Sequence, residues 1–208
     1  MIREFNTLAA SAEVEIRVRA SRFLAFAFPV EDEAEARLVL EERGRVRFDA
    51  THHCAAWRFR DGLWRAIDAG EPSGSAGAPI LAAIDSDQLV DTAVIVTRWF
   101  GGTKLGVGGL VRAYGEAAAE ALSAAPRRRG VYAERLCVRY AFGDTSSVMH
   151  GLERSGATRQ EYSFVEEQAT VSFDVPDAEV EPLQRFLIER TSGRVTLERL
   201  GSTVLYRI

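Results

Sequence analysis

The segment from Phe100 to Gly109, FGGTKLGVGG, is the part of the chain whose residue types most clearly indicate chemistry. Glycine costs more conformational entropy on folding than other residues, so its density here indicates positive φ angles or a ligand close to the backbone. Consecutive backbone N–H groups in such a loop can form a concave anion-binding surface. We therefore predict an anion-binding loop, with a tight strand-to-helix turn as the alternative. Its glycines are Gly101, Gly102, Gly106, Gly108 and Gly109.

Polar side chains in and beside this segment could complete the anion site. Lys104 lies inside it and is the only lysine among the 26 basic residues of the chain. Since the chain otherwise uses arginine, it would be expected to use arginine for a generic solvated charge as well, and this lysine favours a specific role. Arg98 and Arg112 flank the segment, Thr103 adds a hydroxyl group, and the start of the following helix adds partial positive charge. We predict that these four side chains belong to the site.

The segment matches neither of the common nucleotide-loop patterns. Walker A, GxxxxGK[ST], requires a lysine directly after the second glycine, but Gly106 is followed by Val107. The dinucleotide pattern GxGxxG, started at Gly106, requires a glycine where Val111 stands. The loop by itself therefore does not predict hydrolysis or phosphoryl transfer.

A second glycine-rich stretch, GEPSGSAGAP at 70–79, also precedes a predicted helix. Glu71, Ser73 and Ser75 are candidate partners for the same ligand, although the sequence does not show that the two loops meet. Glu71 and the nearby Asp68 could act as acid and base or accept hydrogen bonds from loop amides, and we favour the second role.

The sequence His52-His53-Cys54 is the other candidate constellation. On a strand, His52 and Cys54 share one face and His53 points to the other. A zinc site needs further ligands at matched spacing, and this half of the chain has no second cysteine or histidine cluster. A Cys–His nucleophile pair is conceivable, but neighbouring strand residues do not define a triad. We predict that His52 and His53 line the anion-binding surface, with no catalytic residue, metal or cofactor.

Hydrophobic periodicity places the first loop between a buried strand and an alanine-rich helix. The strand is predicted over 92–100 and the helix over 107–124, with Leu110, Tyr114, Ala117 and Ala121 on its buried face. An earlier helix is predicted to end near Arg43, where Gly44 follows. The remaining strands of this half are predicted at 12–19, 22–30, 52–60 and 63–69, the last two as a hairpin.

The last 75 or so residues are predicted to form β-α-β-β-α-β, the ferredoxin-like split βαβ arrangement. Pro126 and the run Arg127–Gly130 interrupt the pattern, which predicts a solvated linker and domains at 1–130 and 131–208. Asp144 and Asp177 stand where helix N-caps are expected. The elements are strand 134–141, helix 144–155, strand 157–164, strand 167–174, helix 177–190 and strand 194–207.

Composition limits the classes of function. Hydrophobic residues make up 47% and charged residues 27%, as in ordinary soluble domains. No apolar run approaches the roughly 18 residues of a membrane helix, the N-terminus does not resemble a signal peptide, and two cysteines do not indicate a disulfide framework. We expect a cytoplasmic protein without a membrane partner. The net charge of −4 confines any nucleic-acid contact to a local patch, and the oligomeric state is not predicted.

Three motifs resemble the YigZ/IMPACT family, in its two-domain bacterial form: HHCAAW at 52–57, DAGEPSGSAGAP at 68–79 and VTRWFGGTKLGVGGLVRAYGEA at 96–117. The resemblance covers the whole chain. Where the family usually has aspartate, threonine and tyrosine, this chain has Ala69, Ser75 and Trp99. Ala69 removes a carboxylate and weakens any acid/base function of the second loop.

The resemblance implies an α+β fold. The N-terminal domain would be similar to the second domain of a small-subunit ribosomal protein and to domain IV of elongation factor G, and the C-terminal domain would be ferredoxin-like. In eukaryotic relatives, the shared domain belongs to a regulator that restrains the kinase responding to amino-acid starvation. The implied function is a non-enzymatic, translation-linked regulator that binds RNA or the ribosome and has a possible protein partner in translation control.

Two alternatives remain open. The first is a small-molecule phosphate or nucleotide enzyme that uses the same loop, because sugar kinases of related fold bind ATP phosphates with a glycine-rich loop. The second is a protein-interaction module without a nucleic-acid ligand.

Overall fold

A computed structural model of the chain describes residues 3–165 and 167–207. Within these residues the protein is α+β, with two antiparallel sheets and five α-helices. The strands are β1 (Glu4–Leu8), β2 (Ala12–Val18), β3 (Ser21–Pro29), β4 (His52–Arg58), β5 (Trp64–Ile67), β6 (Thr92–Trp99), β7 (Arg127–Ala141), β8 (Thr158–Val165), β9 (Gln168–Pro176) and β10 (Thr196–Arg207); the helices are α1 (Glu33–Val46), α2 (Gly77–Ser86), α3 (Val107–Ala124), α4 (Thr145–Arg154) and α5 (Asp177–Thr191).

The chain divides into two compact units. The first unit holds Phe5–Arg128, and the second holds Arg129–Arg207 together with Arg3 and Glu4. No helix in the described part of the chain is long and apolar enough to cross a membrane.

The first unit is built on a sheet of order β2-β3-β6-β4-β5, with helices on both faces. The central strand β6 is buried on both sides, which explains its continuous apolar sequence. Val94 and Val96 pack into the core that α2 and α3 cover, whereas Ala93 and Ile95 pack into the core that contains Ala36 of α1. The alternation of side chains along β6 thus supports two separate cores.

Helix α3 packs on the sheet as its pattern predicted. Leu110, Tyr114, Ala117 and Ala121 are all buried, which confirms the predicted apolar face. The small side chains on this face let α3 approach the sheet and α2 closely, and a Cβ added at Gly115 would contact Pro79 of α2 at 3.7 Å.

Helix α1 is longer than predicted. It continues to Val46, so Gly44 lies inside the helix and the predicted end near Arg43 is wrong. Glycine in a helix interior costs about 1 kcal/mol relative to alanine, too little to end a helix whose backbone hydrogen bonds continue. The N–H of Arg47 still bonds the carbonyl of Arg43 at 2.9 Å.

The second unit contains the predicted order of strands and helices for residues 134–207. Strand β7 pairs with β9 and with β10, and β9 pairs with β8, all antiparallel. Both α4 and α5 contribute to one core beneath this sheet, where Leu136 and Phe173 of the strands meet Leu152 and Leu187 of the helices.

The arginine run before the second unit is not a linker turn. Arg127, Arg128 and Arg129 are the first residues of β7, and Arg129 pairs in register with Arg207. The guanidinium of Arg127 also lies 2.6 Å from the carboxylate of Asp87. Pairing along the strand therefore overrides the local turn signal, which comes only from residues next to one another in sequence.

One of the two predicted N-cap positions is confirmed. Asp144 is the N-cap residue of α4, although its carboxylate bonds the guanidinium of Arg194 at 2.6 Å and makes no capping hydrogen bond among the described residues. Asp177 is the first residue of α5, whose N-cap residue is Pro176.

Candidate functional site

The second glycine-rich loop contacts the strand before the first loop and the helix after it. Arg98, near the end of β6, lies opposite His52 of β4 and Phe23 of β3 in the strand register. The guanidinium Nη1 of Arg98 donates to Oε1 of Glu71, in the second loop, at 2.6 Å. The hydroxyl of Tyr114, in α3, donates to the same oxygen at 2.7 Å. Glu71 therefore connects the second loop with β6 and α3.

The Arg98–Glu71 ion pair is buried, which changes the predicted role of both residues. Their side chains are 5% and 4% exposed, and Nη2 of Arg98 also donates to the hydroxyl of Ser21. The sequence predicted that Arg98 binds an external anion. Its charge is instead compensated by Glu71 inside the protein, so it supplies no free cation. Glu71 accepts from Arg98 and Tyr114 and bonds no loop amide.

Asp68 organises the second loop. Its Oδ1 accepts from the backbone N–H groups of Ala76 and Gly77, at 3.0 and 2.9 Å, and its Oδ2 accepts from Gly74 at 2.8 Å. Burial raises the pKa of Asp68, but the three N–H bonds outweigh it and hold the pKa below its usual value. The interpretation that Asp68 binds loop amides is confirmed, and the carboxylate occupies the N-terminal end of α2.

The two serines predicted as loop partners lie in different environments. Ser75 is buried, and its hydroxyl donates to the carbonyl of Pro72 at 2.6 Å, a local turn contact. Ser73 is exposed. Only Ser73 is therefore accessible to a ligand at this loop.

Cys54 is not poised as a nucleophile. Its thiol is buried and donates to the carbonyl of Asp68 at 3.0 Å. Burial raises its pKa to about 12, even though the hydroxyl of Tyr114 favours the thiolate, and the negative charges of Glu71 and Asp68 raise it further. The thiolate that covalent catalysis requires is therefore absent near neutral pH. Burial likewise raises the pKa of Tyr114.

His52 presents one free ring nitrogen at this end of the sheet. Its Nδ1 lies 2.8 Å from the carbonyl oxygen of Ala69, and because a carbonyl only accepts, Nδ1 carries the proton. In the neutral ring the Nε2 lone pair then has no hydrogen-bond donor among the described residues. Nε2 is 3.9 Å from Oε1 of Glu71, too far for a hydrogen bond. Ala69 holds its carbonyl with a φ of +46°, a left-handed conformation that is unfavourable for alanine.

The structure separates His53 from the surface that it was predicted to share with His52. Its Nδ1 lies 3.2 Å from the hydroxyl of Thr97, and its ring lies beneath Gly44 of α1, on the other face of the sheet. Burial lowers the pKa of His53, so the ring is neutral at pH 7. Successive strand residues point to opposite faces, which is why the two histidines cannot serve one surface.

The backbone geometry accounts for three glycines of the first loop. Gly102 and Gly106 have φ angles of +85° and +72°, which favour glycine. A Cβ added at Gly101 would lie 1.9 Å from the carbonyl oxygen of Ala20. This close approach comes from the chain itself, so Gly101 needs no ligand to explain it. Gly108 and Gly109 lie in the first turn of α3.

The start of α3 is open, in contrast to the start of α2. Gly106 is the N-cap residue, and no side chain caps this end within the described residues. The segment Gly101–Lys104 and the residues Val107 and Gly108 are exposed. The partial positive charge of this helix end therefore faces solvent.

Three basic side chains around the open loop have no carboxylate within 4 Å in the described part of the chain: Lys104, Arg112 and Arg19. All three are exposed. The guanidinium of Arg19 reaches the carbonyl oxygen of Lys104 at 3.5 Å, and that of Arg112 lies beside Gly108. The structure thus places the predicted Lys104 and Arg112 together at the loop. Arg19 was missed because only strand pairing brings the β2–β3 turn to this position.

The described residues contain no group of three or more side chains that could hold a metal ion.

The polar groups at this end of the sheet comprise a buried network, centred on Glu71, and an exposed cationic surface, centred on Lys104. Only the exposed surface offers uncompensated charge.

The sequence is similar to a defined domain and to several bacterial proteins. The Impact N-terminal domain model matches residues 19–122, which include both loops. The Thermus thermophilus protein "IMPACT family member in pol 5'region" is 38% identical over 182 residues, which cover 87% of this chain and 99% of that protein. The Bacillus subtilis "IMPACT family member YvyE" is 40% identical over 125 residues, and this alignment spans 58% of its length. The Escherichia coli "IMPACT family member YigZ" is 35% identical over 118 residues, again 58% of its length.

One solved structure, described as "Crystal structure of an hypothetical protein", matches over nearly the whole chain. The TM-score is 0.69 at 24% sequence identity, and the match covers 95% of this chain and 97% of the other. At this identity the likeness concerns the fold alone.

Proposed function

Because the chain belongs to the IMPACT family, we propose that it is a non-enzymatic, translation-linked regulator that binds RNA or the ribosome. The contact surface is the glycine segment Phe100–Gly109 with the basic side chains around it. The observation that carries the proposal is that Lys104, Arg112 and Arg19 surround an exposed, uncapped helix start and have no carboxylate partner in the described residues.

This arrangement suits the phosphodiester backbone of a nucleic acid. Free cations need not break an ion pair before they bind phosphate, and exposed N–H groups at a helix start can bond phosphate oxygens. Binding of this kind is largely independent of sequence and sensitive to salt. Since the whole chain carries a net charge of −4, attraction is confined to this patch.

The fold is consistent with a role linked to translation. We take the first unit to be similar to the second domain of a small-subunit ribosomal protein and to domain IV of elongation factor G. The second unit, with strand order β8-β9-β7-β10 and two helices in one core, is consistent with a ferredoxin-like domain. Fold likeness alone does not assign a function, so the proposal depends on the cationic loop.

A second candidate is a small-molecule phosphate or nucleotide enzyme, and one observation favours it. His52 has a defined tautomer with a free Nε2, next to the buried carboxylate of Glu71. A histidine in this state can accept a proton from a ligand. Asp68 is not a candidate base, because its oxygens are held by three backbone N–H groups.

The test is RNA binding by the full chain, measured by fluorescence anisotropy over a salt series. Lys104→Ala is expected to weaken binding and to reduce the slope of log K against log salt by about 0.7–0.9, the contribution of one phosphate contact. Arg45→Ala is the control, because Arg45 is exposed on α1, on the other face of the sheet.

Equal affinity and slope for Lys104→Ala and the parent would refute the proposal. Binding of ATP in the absence of RNA binding, removed by His52→Ala, would favour the enzyme instead.

A further inference from the structure

A phenylalanine is exposed at the end of the sheet where the glycine segment begins. Phe100 is 46% exposed. The N–H of Thr51 donates to the carbonyl of Arg98 at 2.8 Å, and the Thr51 hydroxyl accepts from the N–H of Phe100 at 3.0 Å. The start of β4 therefore anchors the backbone of Phe100 at this end of the sheet.

The surface beside the ring of Phe100 is basic. Lys104 lies in the loop that starts at Phe100, and the guanidinium of Arg19, in the β2–β3 turn, reaches the carbonyl oxygen of Lys104 at 3.5 Å. Gly101 packs against Ala20, the neighbour of Arg19. Phe100 and these two exposed cations therefore lie close together, whereas Trp99 points to the other face of the sheet.

The backbone of Phe100 is anchored by its neighbours, and its ring centre lies 5.5 Å from the guanidinium carbon of Arg98. Its N–H is bonded to Thr51, and the next residue, Gly101, packs directly against Ala20. About half of the side chain contacts solvent, although a leucine or a polar residue would fit the same backbone. An aromatic side chain here adds a flat face beside a cationic loop.

We infer that this surface binds single-stranded RNA, with an unpaired base stacked on Phe100 and the adjoining phosphates on Lys104 and Arg19. The inference rests on the function proposed above and specifies its ligand. Proteins that bind single strands combine a positive surface with aromatic stacking platforms. A duplex hides the faces of its bases and offers only phosphates and groove edges, so it cannot use the ring of Phe100.

The experiment compares two fluorescein-labelled RNAs, a 12-nucleotide oligouridine and a blunt-ended RNA duplex of two separate strands, at one salt concentration. We expect the full chain to bind the oligouridine more tightly. Phe100→Ala is expected to weaken oligouridine binding by about 5- to 150-fold and to leave duplex binding unchanged. Phe100→Trp keeps a stacking face and is expected to retain binding.

Trp64→Ala is the matched control. Trp64 is 58% exposed, in the same unit, and pairs with Arg58 at the end of β4 opposite to His52. Its removal is expected to leave both affinities unchanged. Thermal melting of each variant checks that the fold is intact.

Equal affinity of the parent for both RNAs, or an equal loss on both with Phe100→Ala, would overturn the inference while phosphate binding stands. Failure of the parent to bind either RNA would overturn the proposed function as well.

Discussion

The carboxylate of Glu71 is buried between β6 and α3, where it accepts from Arg98 and Tyr114. A buried carboxylate of this kind is tolerated only while its charge is compensated, because transfer of an isolated charge out of water is costly. The same contact defines the role of Arg98, whose side chain is 5% exposed. At the scale of single residues, burial and pairing therefore distinguish structural charges from those available to a ligand.

Glu71→Gln leaves the guanidinium of Arg98 buried without a counter-charge. We expect the free energy of unfolding to fall by about 3–5 kcal/mol, the usual cost of breaking a buried ion pair. Denaturant unfolding measures the change. Glu33→Gln is the control, because Glu33 also accepts hydrogen bonds from two side chains, Arg37 and Arg65, but on the surface, where solvent screens the ion pairs and their loss should cost much less. Equal effects for the two variants would contradict a structural role for the buried pair.

Helices α2 and α3 both begin after glycine-rich loops, but their starting ends differ. Asp68 accepts hydrogen bonds from the first N–H groups of α2, so that end is satisfied within the protein. The start of α3 has no side-chain cap in the part of the chain that the structure describes. At the scale of elements, one helix start is closed by an internal anion, whereas the N–H groups of the other are left without a side-chain acceptor among the described residues.

The two helix starts also use glycine for different reasons. A Cβ at Gly77, in α2, would lie 2.4 Å from the backbone nitrogen of Ile67, whereas a Cβ at Gly108, in α3, would meet only the flexible side chain of Arg112 at 3.9 Å. We expect Gly77→Ala to destabilise the protein by about 1–3 kcal/mol or more, because backbone must move. Gly108→Ala should stabilise it by about 0.4–1 kcal/mol.

Thermal or denaturant unfolding of both variants checks the signs. Stabilisation by Gly77→Ala would show that the close contact between α2 and β5 is not needed. Destabilisation by Gly108→Ala would show that the start of α3 requires glycine in the absence of a ligand.

At the scale of the whole molecule, a net charge of −4 opposes nucleic-acid binding everywhere except at a local patch. The described patch contains three unpaired cations, Lys104, Arg112 and Arg19. The number of phosphates that the protein can neutralise should therefore be small.

We expect the salt dependence of single-stranded RNA binding to be shallow. Three phosphate contacts predict a slope of log K against log salt of about −2, from roughly −0.7 for each contact. Anisotropy titrations between low and moderate salt measure this slope. A value several-fold steeper would mean that basic residues outside the patch, such as those at 127–129, also bind RNA.

The local structure of the candidate site could be predicted from the sequence. The apolar run of β6, the buried face of α3 and the glycine-rich connection between them are all present where the pattern indicated. Positive φ at Gly102 and Gly106 is a local property, which is why glycine density was a usable signal. The division of His52 and His53 between two faces also follows from strand alternation alone.

The sequence by itself determined most of the elements, the loop and the family motifs, because these depend on residues that are close together in the chain; β1 and the first part of β7, which depend on pairing with distant residues, were not predicted. Only the tertiary structure decided which charged side chains have an ion-pair partner. Arg98 is matched by Glu71, 27 residues away, and Arg19 reaches Lys104 from 85 residues away. Such partners come together only when strands pair and helices pack, and no local pattern encodes that pairing. The carboxylate of Glu71 compensates the buried charge of Arg98, whereas the ammonium group of Lys104 is exposed to solvent.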